Sequence, residues 1–349
     1  MKPGKLQTAI VGATGYAGLE LTRILLRHPH LAPPVLVQRS APGDAPRDLA
    51  EMFPALSGNG GYPLQALSWP ALKRQGVELL FLATPHEVSR SLVPEALAQG
   101  LRVIDLSAAW RLQRREHRAV YRFQDEDSVS AAELTELAVY GLPELHSQHI
   151  REARLVANPG CYATSVILAL APLVDAGLVD KQRGIISDSK SGVSGAGKEP
   201  TARTHFVSVA DNFSAYAVFN HRHVGEILEQ LNLEASVLTF TPHLLPIPRG
   251  ILSTIYVYLN RPVHAKDLEA ALRSFYGGRR WVRIFSTPNL PQIRSSLHTN
   301  YCDIGFCLAE DGRRLVLVSC LDNLLKGAAG QAAENLNLMY GWSEEAGLA

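Results

Sequence analysis

The chain opens on the apolar run LQTAIV (6–11), the glycine turn GATGYAG (12–18) and a stretch of helical period that ends near His28. Ala17, Leu21, Ile24 and Leu25 form the buried stripe predicted for that helix. Short apolar runs return at PVLVQ (34–38), VELLFLA (77–83), LRVIDL (101–106) and LVA (155–157). The helical stretch EVSRSLVPEALAQ, closed by Gly100, separates two of them. Strand-length apolar runs alternating with amphipathic helices predict a parallel, doubly wound α/β sheet, whose ligands bind beyond the carboxyl ends of the strands.

The pattern changes after Cys161. ILSTIYVYL (251–259), VRIF, CDIGFCLAE and RRLVLVSCL read as strands with short connections, which predicts an α+β domain with a mostly antiparallel sheet. The last stretch, DNLLKGAAGQAAENLNLMYGW, reads as a helix with Leu324, Ala328, Gln331, Ala332 and Asn335 on one stripe, returning to complete the first domain. A chain of 349 residues has room for about two such domains.

Composition narrows the function. The formal net charge is +1 and there is no basic block, so no nucleic-acid partner is expected. No run approaches ~18 apolar residues, so no membrane span is expected. MKPGKLQTAIVGATG runs straight into a strand without the pattern of a signal peptide. The four cysteines form no CxxC pair, and Cys302 and Cys307 fall on opposite faces of a strand. A reduced, cytoplasmic protein with no metal site is the expectation.

The glycine turn has the GxxGxxG spacing of a dinucleotide fingerprint in its required place between strand and helix. Gly12 permits the tight turn, Gly15 lets the backbone approach a pyrophosphate, and Gly18 lets the helix lie close to the sheet. Thr84, Pro85, His86 and Ser107 fall at the ends of later strands and are expected to line the cofactor cleft, although an ordinary loop would look the same. The second strand ends VLVQRSAP, with no acid for a ribose hydroxyl. Arg39 and Ser40 suit a 2′-phosphate, so NADP(H) is favoured over NAD.

Cys161, in ANPGCYAT, opens a long apolar run and is expected at the start of a helix. Free cysteines are usually buried packing residues, and the other three, all in strand-like runs, read that way. A helix start instead favours the thiolate. An ordinary thiol with a pKa near 8.5 is only about 3% ionised at pH 7. The segment NHRHVGEI offers His221, Arg222, His223 and Glu226; an extended backbone would point both histidines the same way and Arg222 opposite. SGVSGAGK (191–198) reads either as a flexible connection or as backbone N–H groups for a phosphate with Lys198 nearby. Arg111, Arg203 and Arg249 are further candidates for an anionic substrate.

Taken in order, GATGYAG, ATPHEVS, DLSAAWR, YGLPE, ANPGCYAT, SGVSGAG, HRHVGE, PRGIL and DNLLKGAAGQA resemble the N-acetyl-γ-glutamyl-phosphate reductases. These are NADPH-dependent enzymes of arginine biosynthesis, related to aspartate-semialdehyde dehydrogenase. The resemblance implies a Rossmann domain over 1–157, completed by 321–349, and an inserted α+β catalytic and dimerisation domain over 158–320, as in glyceraldehyde-phosphate dehydrogenase. It implies Cys161 as nucleophile and an acid–base histidine, His221 ahead of His223. Gly12, Thr14, Gly15, Tyr16 and Ala17 would wrap the NADP pyrophosphate, and Ser191, Gly192 and Asn323 would approach the nicotinamide. Arg111, Lys198, Arg222 and Arg249 would meet the small acyl phosphate substrate, in a homodimer or homotetramer. Gly225 stands where the family often has Pro, and Ala109 and Trp110 where it often has Asp and Phe. The same chemistry on a carrier-linked acyl phosphate, or a non-catalytic NADP-binding regulator, are the alternatives.

Overall fold

The computed structural model describes residues 4–38, 47–57, 60–125 and 128–348. They form two compact units. The first holds the described residues of Met1–Gln113, Arg122–Pro159 and Ala328–Ala349; the second holds Arg114–Tyr121 and Gly160–Gly327. The chain thus crosses over two residues beyond 157 and returns seven beyond 320, and a short excursion at Arg114–Tyr121, absent from the sequence pattern, joins the second unit.

The first unit is built on an eight-stranded sheet. Its strands are β1 (Gln7–Val11), β2 (Val35–Gln38), β3 (Arg47–Asp48), β4 (Pro63–Ala66), β5 (Val77–Leu82), β6 (Arg102–Asp105), β7 (Val139–Tyr140) and β8 (Leu155–Ala157). They lie in the order β3-β4-β2-β1-β5-β6-β8-β7, and every pairing is parallel except β3 with β4. Ala9, Ile10 and Val11 of β1 and Leu79 to Leu82 of β5 are buried, the near-continuous apolar signature of strands covered on both faces. The chain runs outward from β1 to β2 and β4, then from β5 to β6 and β8. The direction reverses between β1 and β5, which makes their carboxyl ends the topological switch point.

The helix Tyr16–Arg27 buries Gly18, Leu19, Leu21, Thr22, Ile24 and Leu25, while Ala17, expected in that stripe, is half-buried at the outward-facing first turn. The closing helix, Gly330–Met339, is buried on every side, so the single stripe expected for it does not exist. Asn335 and the helix end are tied to the unit by bonds. Asn335 donates to the carbonyl of Gly141 (2.9 Å) and to Oδ1 of Asn158 (3.0 Å), and the Met339 carbonyl accepts from Arg102 (2.7 Å).

The second unit carries a seven-stranded sheet. Its strands are β9 (Ile185–Gly192), β10 (Ser214–Ala215), β11 (Leu238–Leu245), β12 (Ile251–Tyr258), β13 (Val282–Ile284), β14 (Cys302–Leu308) and β15 (Arg314–Leu321), in the order β10-β11-β9-β12-β15-β14-β13. The β9–β11 and β13–β14 pairs are parallel and the rest antiparallel. β9 and β11 escaped the sequence pattern. On β9 the buried face carries Ser187, Ser189 and Ser191 after a single apolar residue, Ile185. Their small side chains leave room for the helix Cys161–Asp175, which lies on this sheet against β12 and β15. Ser165 Oγ of that helix lies 3.0 Å from the hydroxyls of both Ser253 and Ser319, and Ser189 Oγ lies 2.8 Å from that of Ser253. The buried hydroxyls satisfy one another, so the helix docks without an unmet polar group there.

Candidate active site

In the first unit, three glycines shape the switch point, each for a different steric reason. Gly12 has φ +90°, and a Cβ on it would lie 2.4 Å from the Ala83 carbonyl oxygen. A Cβ on Gly18 would lie 2.2 Å from the Gly12 oxygen, so the helix rests directly on the turn. At Gly15 the nearest atom would be 3.6 Å away, so this face is open. Gly15 also caps the helix Tyr16–Arg27, which has no side-chain cap and no acid in its first turn. An open glycine beneath an uncapped helix start fits a dinucleotide pyrophosphate. Thr14, Tyr16 and Ala17 border it, with Tyr16 42% exposed.

A hydrogen-bonded chain ties the ends of β5 and β6 together. Thr84 Oγ1 lies 2.8 Å from Ser89 Oγ, and Ser89 donates to Asp105 Oδ1 (2.8 Å). Ser107 donates to Asp105 through its N–H (3.0 Å) and its hydroxyl (2.7 Å). Burial raises the Asp105 pKa, and the bonds from Ser107 and Ser89 oppose that rise. Ser89 and Asp105 were missed at the sequence level; an acid ending a buried strand was the available signal. Pro85 caps the next helix, and His86 Nε2 lies 2.8 Å from Glu87 Oε1. Arg111 donates to the Leu106 carbonyl (2.7 Å) within this unit. Ala109 and Trp110 are buried, and the Arg90 guanidinium lies 4.5 Å from the Trp110 ring centroid. Arg39 and Ser40 lie outside the described residues.

The second unit holds the cysteine. Cys161 is the first residue of the helix Cys161–Asp175, capped by Gly160, with no acid in its first turn. It is in no disulfide and is partly exposed. Two glycines crowd it. A Cβ on Gly327 would lie 2.7 Å from the Cys161 Cβ, and a Cβ on Gly160 would lie 2.4 Å from His223 Nε2. The His223 ring therefore sits against the backbone that leads into Cys161. Glu226, fully buried, joins both: Oε2 accepts the Gly160 N–H (2.9 Å) and Oε1 lies 4.0 Å from His223 Nε2.

The histidine segment is a turn and not the extended stretch expected. His223 is helical (φ −80°, ψ −7°) and caps the helix Val224–Leu231. The His223 N–H donates to His221 Nδ1 (3.1 Å), which folds the two rings to a centroid distance of 4.7 Å. With Nδ1 accepting, neutral His221 carries its proton on Nε2. Burial, and then Arg222, lowers the His221 pKa to about 4. Tyr162 donates to the His243 carbonyl (2.8 Å), and burial raises its pKa, as it does that of Tyr216.

Cys161, His221 and His223 line one cavity of about 490 Å³, with Ser191, Tyr216, Arg203 and Arg222. Among the described residues no Asp or Glu lines it. Gly192, Asn323, Lys198 and Arg249 are not among its walls. Asn323 braces the neighbouring loops, accepting from the Gly250 N–H (2.8 Å) and donating to Ser194 (2.9 Å). Arg249 Nε lies 3.3 Å from buried Asp322, and Lys198 is exposed. In the 191–198 loop, the N–H groups of Gly192, Val193 and Ser194 bond the carbonyls of Gly250, Ile247 and Pro248, so they are not a phosphate cradle. Cys302 and Cys320 are buried as expected of packing residues, with the Cys320 thiol raised by burial, but Cys307 is exposed on β14.

Comparison with known proteins accords with this arrangement. Residues 7–153 match the family described as semialdehyde dehydrogenase, NAD binding domain, and residues 161–323 that described as semialdehyde dehydrogenase, dimerisation domain. The chain is 43% identical over 347 residues to an N-acetyl-gamma-glutamyl-phosphate reductase of Desulfotalea psychrophila, covering 98% of each chain. It is 44% identical over 348 residues to one of Syntrophobacter fumaroxidans, again covering 98% of each. Among solved structures it resembles aspartate semialdehyde dehydrogenase II of Vibrio cholerae (TM-score 0.72, 18% identity, 97% of this chain and 99% of that one). It also resembles the NADP complex of the Candida albicans aspartate semialdehyde dehydrogenase (TM-score 0.68, 16% identity, 97% and 99%).

Proposed function

Since the chain belongs to the N-acetyl-γ-glutamyl-phosphate reductase family, we propose that it reduces N-acetyl-γ-glutamyl phosphate to N-acetylglutamate 5-semialdehyde, releasing phosphate, in arginine biosynthesis. The observation that carries this reading is Cys161, a helix-start thiol in a cavity whose titratable walls include Arg203, Arg222, His221 and His223 and, among the described residues, no acid.

The helix start favours the Cys161 thiolate, and His223 takes the thiol proton. Sγ attacks the acyl carbon, the C–O bond to phosphate breaks, and the acyl group remains on Cys161 as a thioester. NADPH, when bound, supplies the hydride that reduces this carbon. Backbone N–H groups at the helix start hold the oxyanion at each tetrahedral stage. His223 lends its proton to the reduced oxygen and recovers it as the aldehyde leaves and the thiolate reforms. Phosphate is a good leaving group, so positioning is the protein's main contribution, for which roughly 7–11 kcal/mol is available.

The two histidines divide this work. Glu226 stands beside His223, ready to stabilise an imidazolium, and the His223 ring rests on Gly160. His221, held neutral, serves as a hydrogen-bond donor to substrate through Nε2. This reverses the order taken from the family resemblance. Gly12, Thr14, Gly15, Tyr16 and Ala17 would hold the NADP pyrophosphate, with Thr84, Pro85, His86 and Ser107 along the strand ends. We infer a homo-oligomer, a dimer or tetramer, from the dimerisation-domain match, and a cytoplasmic setting from four cysteines that form no disulfide. Among the described residues no helix is long and apolar enough to cross a membrane.

The test is the reverse reaction: NADP reduction in phosphate buffer with N-acetylglutamate 5-semialdehyde or aspartate semialdehyde. Phosphate-dependent activity on the acetylated aldehyde is expected. Inactivity on both, with NADP still bound, would overturn the assignment.

A further inference from the structure

The proposed substrate has two anionic ends, an acyl phosphate and an α-carboxylate separated from the reacting carbonyl by three carbons. Resting on that reading, the cavity offers one guanidinium for each. Arg222 stands between His221 and His223 in the chain and lines the cavity with them. Arg203 enters from a separate segment. Among the described residues neither arginine has a carboxylate partner within ion-pair distance. Arg249 is committed to Asp322.

Arg203 is presented by a braced turn. Thr201 and Thr204 bond reciprocally: the Thr201 N–H donates to Thr204 Oγ1 (2.8 Å), the Thr204 N–H donates to Thr201 Oγ1 (3.2 Å), and the two hydroxyls lie 2.9 Å apart. The guanidinium carbon lies 5.5 Å from the centroid of the Tyr216 ring, itself a wall of the cavity with Cys161. A guanidinium resting on an aromatic face keeps its N–H edge free for bidentate binding of a planar carboxylate. We propose that Arg203, held by the Thr201–Thr204 turn and the Tyr216 ring, binds the substrate α-carboxylate and makes the enzyme selective for an amino-acid-derived aldehyde over one without that group.

The test crosses two enzymes with two substrates in the reverse reaction. N-acetylglutamate 5-semialdehyde carries the carboxylate, and 4-acetamidobutanal is the same molecule without it. Wild type should prefer the former. Arg203→Met should lose roughly 10- to 100-fold in kcat/KM on the carboxylate-bearing aldehyde, mainly through KM, the range expected for a charge-assisted hydrogen bond. On 4-acetamidobutanal it should match wild type, and Arg203→Lys should recover part of the loss. Equal losses on both aldehydes, or no loss on the first, would overturn this inference while leaving the reaction standing. A wild type inactive on both would overturn the reaction and this inference with it.

Discussion

The imidazole of His223 lies against Gly160, where a single added methyl would stand 2.4 to 2.7 Å from Nε2, Cδ2 and Cε1 of the ring. The contact links a histidine and the residue before Cys161, which are far apart in sequence, and glycine is what allows it. Gly160→Ala must displace the ring or the helix start. A misplacement of about 1 Å can cost on the order of 100-fold in rate. We expect kcat to fall by about that factor while NADP affinity, measured by fluorescence titration, stays at the wild-type value. A fully active alanine variant would refute the positioning role.

Glu226 should show two separable roles. Glu226→Gln keeps an acceptor for the Gly160 N–H but loses the charge beside His223, so folding should persist while kcat drops roughly 10- to 100-fold, the usual scale of acid–base assistance. Glu226→Ala also leaves the buried N–H unmet, at a cost of about 1–3 kcal/mol in chemical denaturation. Equal stability of the two variants would exclude the capping bond.

His221 sets an acid limit on stability. Its pKa in the folded chain, about 4, lies below the ordinary 6.5. The unfolded chain therefore binds the extra proton first. The stability contribution is complete above pH 6.5 and is lost as pH falls toward 4, in total on the order of 3 kcal/mol. Urea midpoints for wild type and His221→Gln should converge on acidification through this window. Parallel curves would count against a buried neutral imidazole.

The three glycines of the first turn should separate folding from cofactor binding. A methyl at Gly15 meets no atom closer than 3.6 Å, whereas one at Gly18 meets the Gly12 oxygen at 2.2 Å. Gly15→Ala should melt like wild type and bind NADP at least about tenfold more weakly, because the methyl intrudes where the pyrophosphate approaches. Gly18→Ala should lose stability by about 1–3 kcal/mol, the usual cost of overpacking. Calorimetry on both variants decides it.

Thiol alkylation should sort the four cysteines. Cys161 and Cys307 are accessible, and Cys302 and Cys320 are buried. Iodoacetamide should modify the first pair in the native protein, and loss of activity should follow Cys161 alone, with Cys307→Ser unaffected. Inactivation that follows Cys307 would contradict the site.

Elements governed by local rules were legible in the sequence. The strand–glycine–helix unit at 7–27 follows from backbone sterics and apolar period, and so does the helix that begins at Cys161. The alternation of strands and helices was enough to give the doubly wound sheet. Strand β9 was hidden because beyond Ile185 its buried face is serine, acceptable only where Ser165 and Ser253 arrive to share hydrogen bonds. The histidine turn was misread as extended because the bond from the His223 N–H to His221 Nδ1 is invisible to a pattern of alternation. What the tertiary structure alone decided is which groups meet. Glu226 reaches Gly160 across 66 residues, Arg203 reaches Tyr216, and Arg249 turns to Asp322 instead of the cavity. The sequence by itself determined the strand–glycine–helix unit and the place of Cys161 at a helix start, because dihedral preference and hydrophobic period act within a few neighbouring residues. The partners of that thiol depend on packing between distant segments, where a carboxylate is held only if a donor is buried beside it.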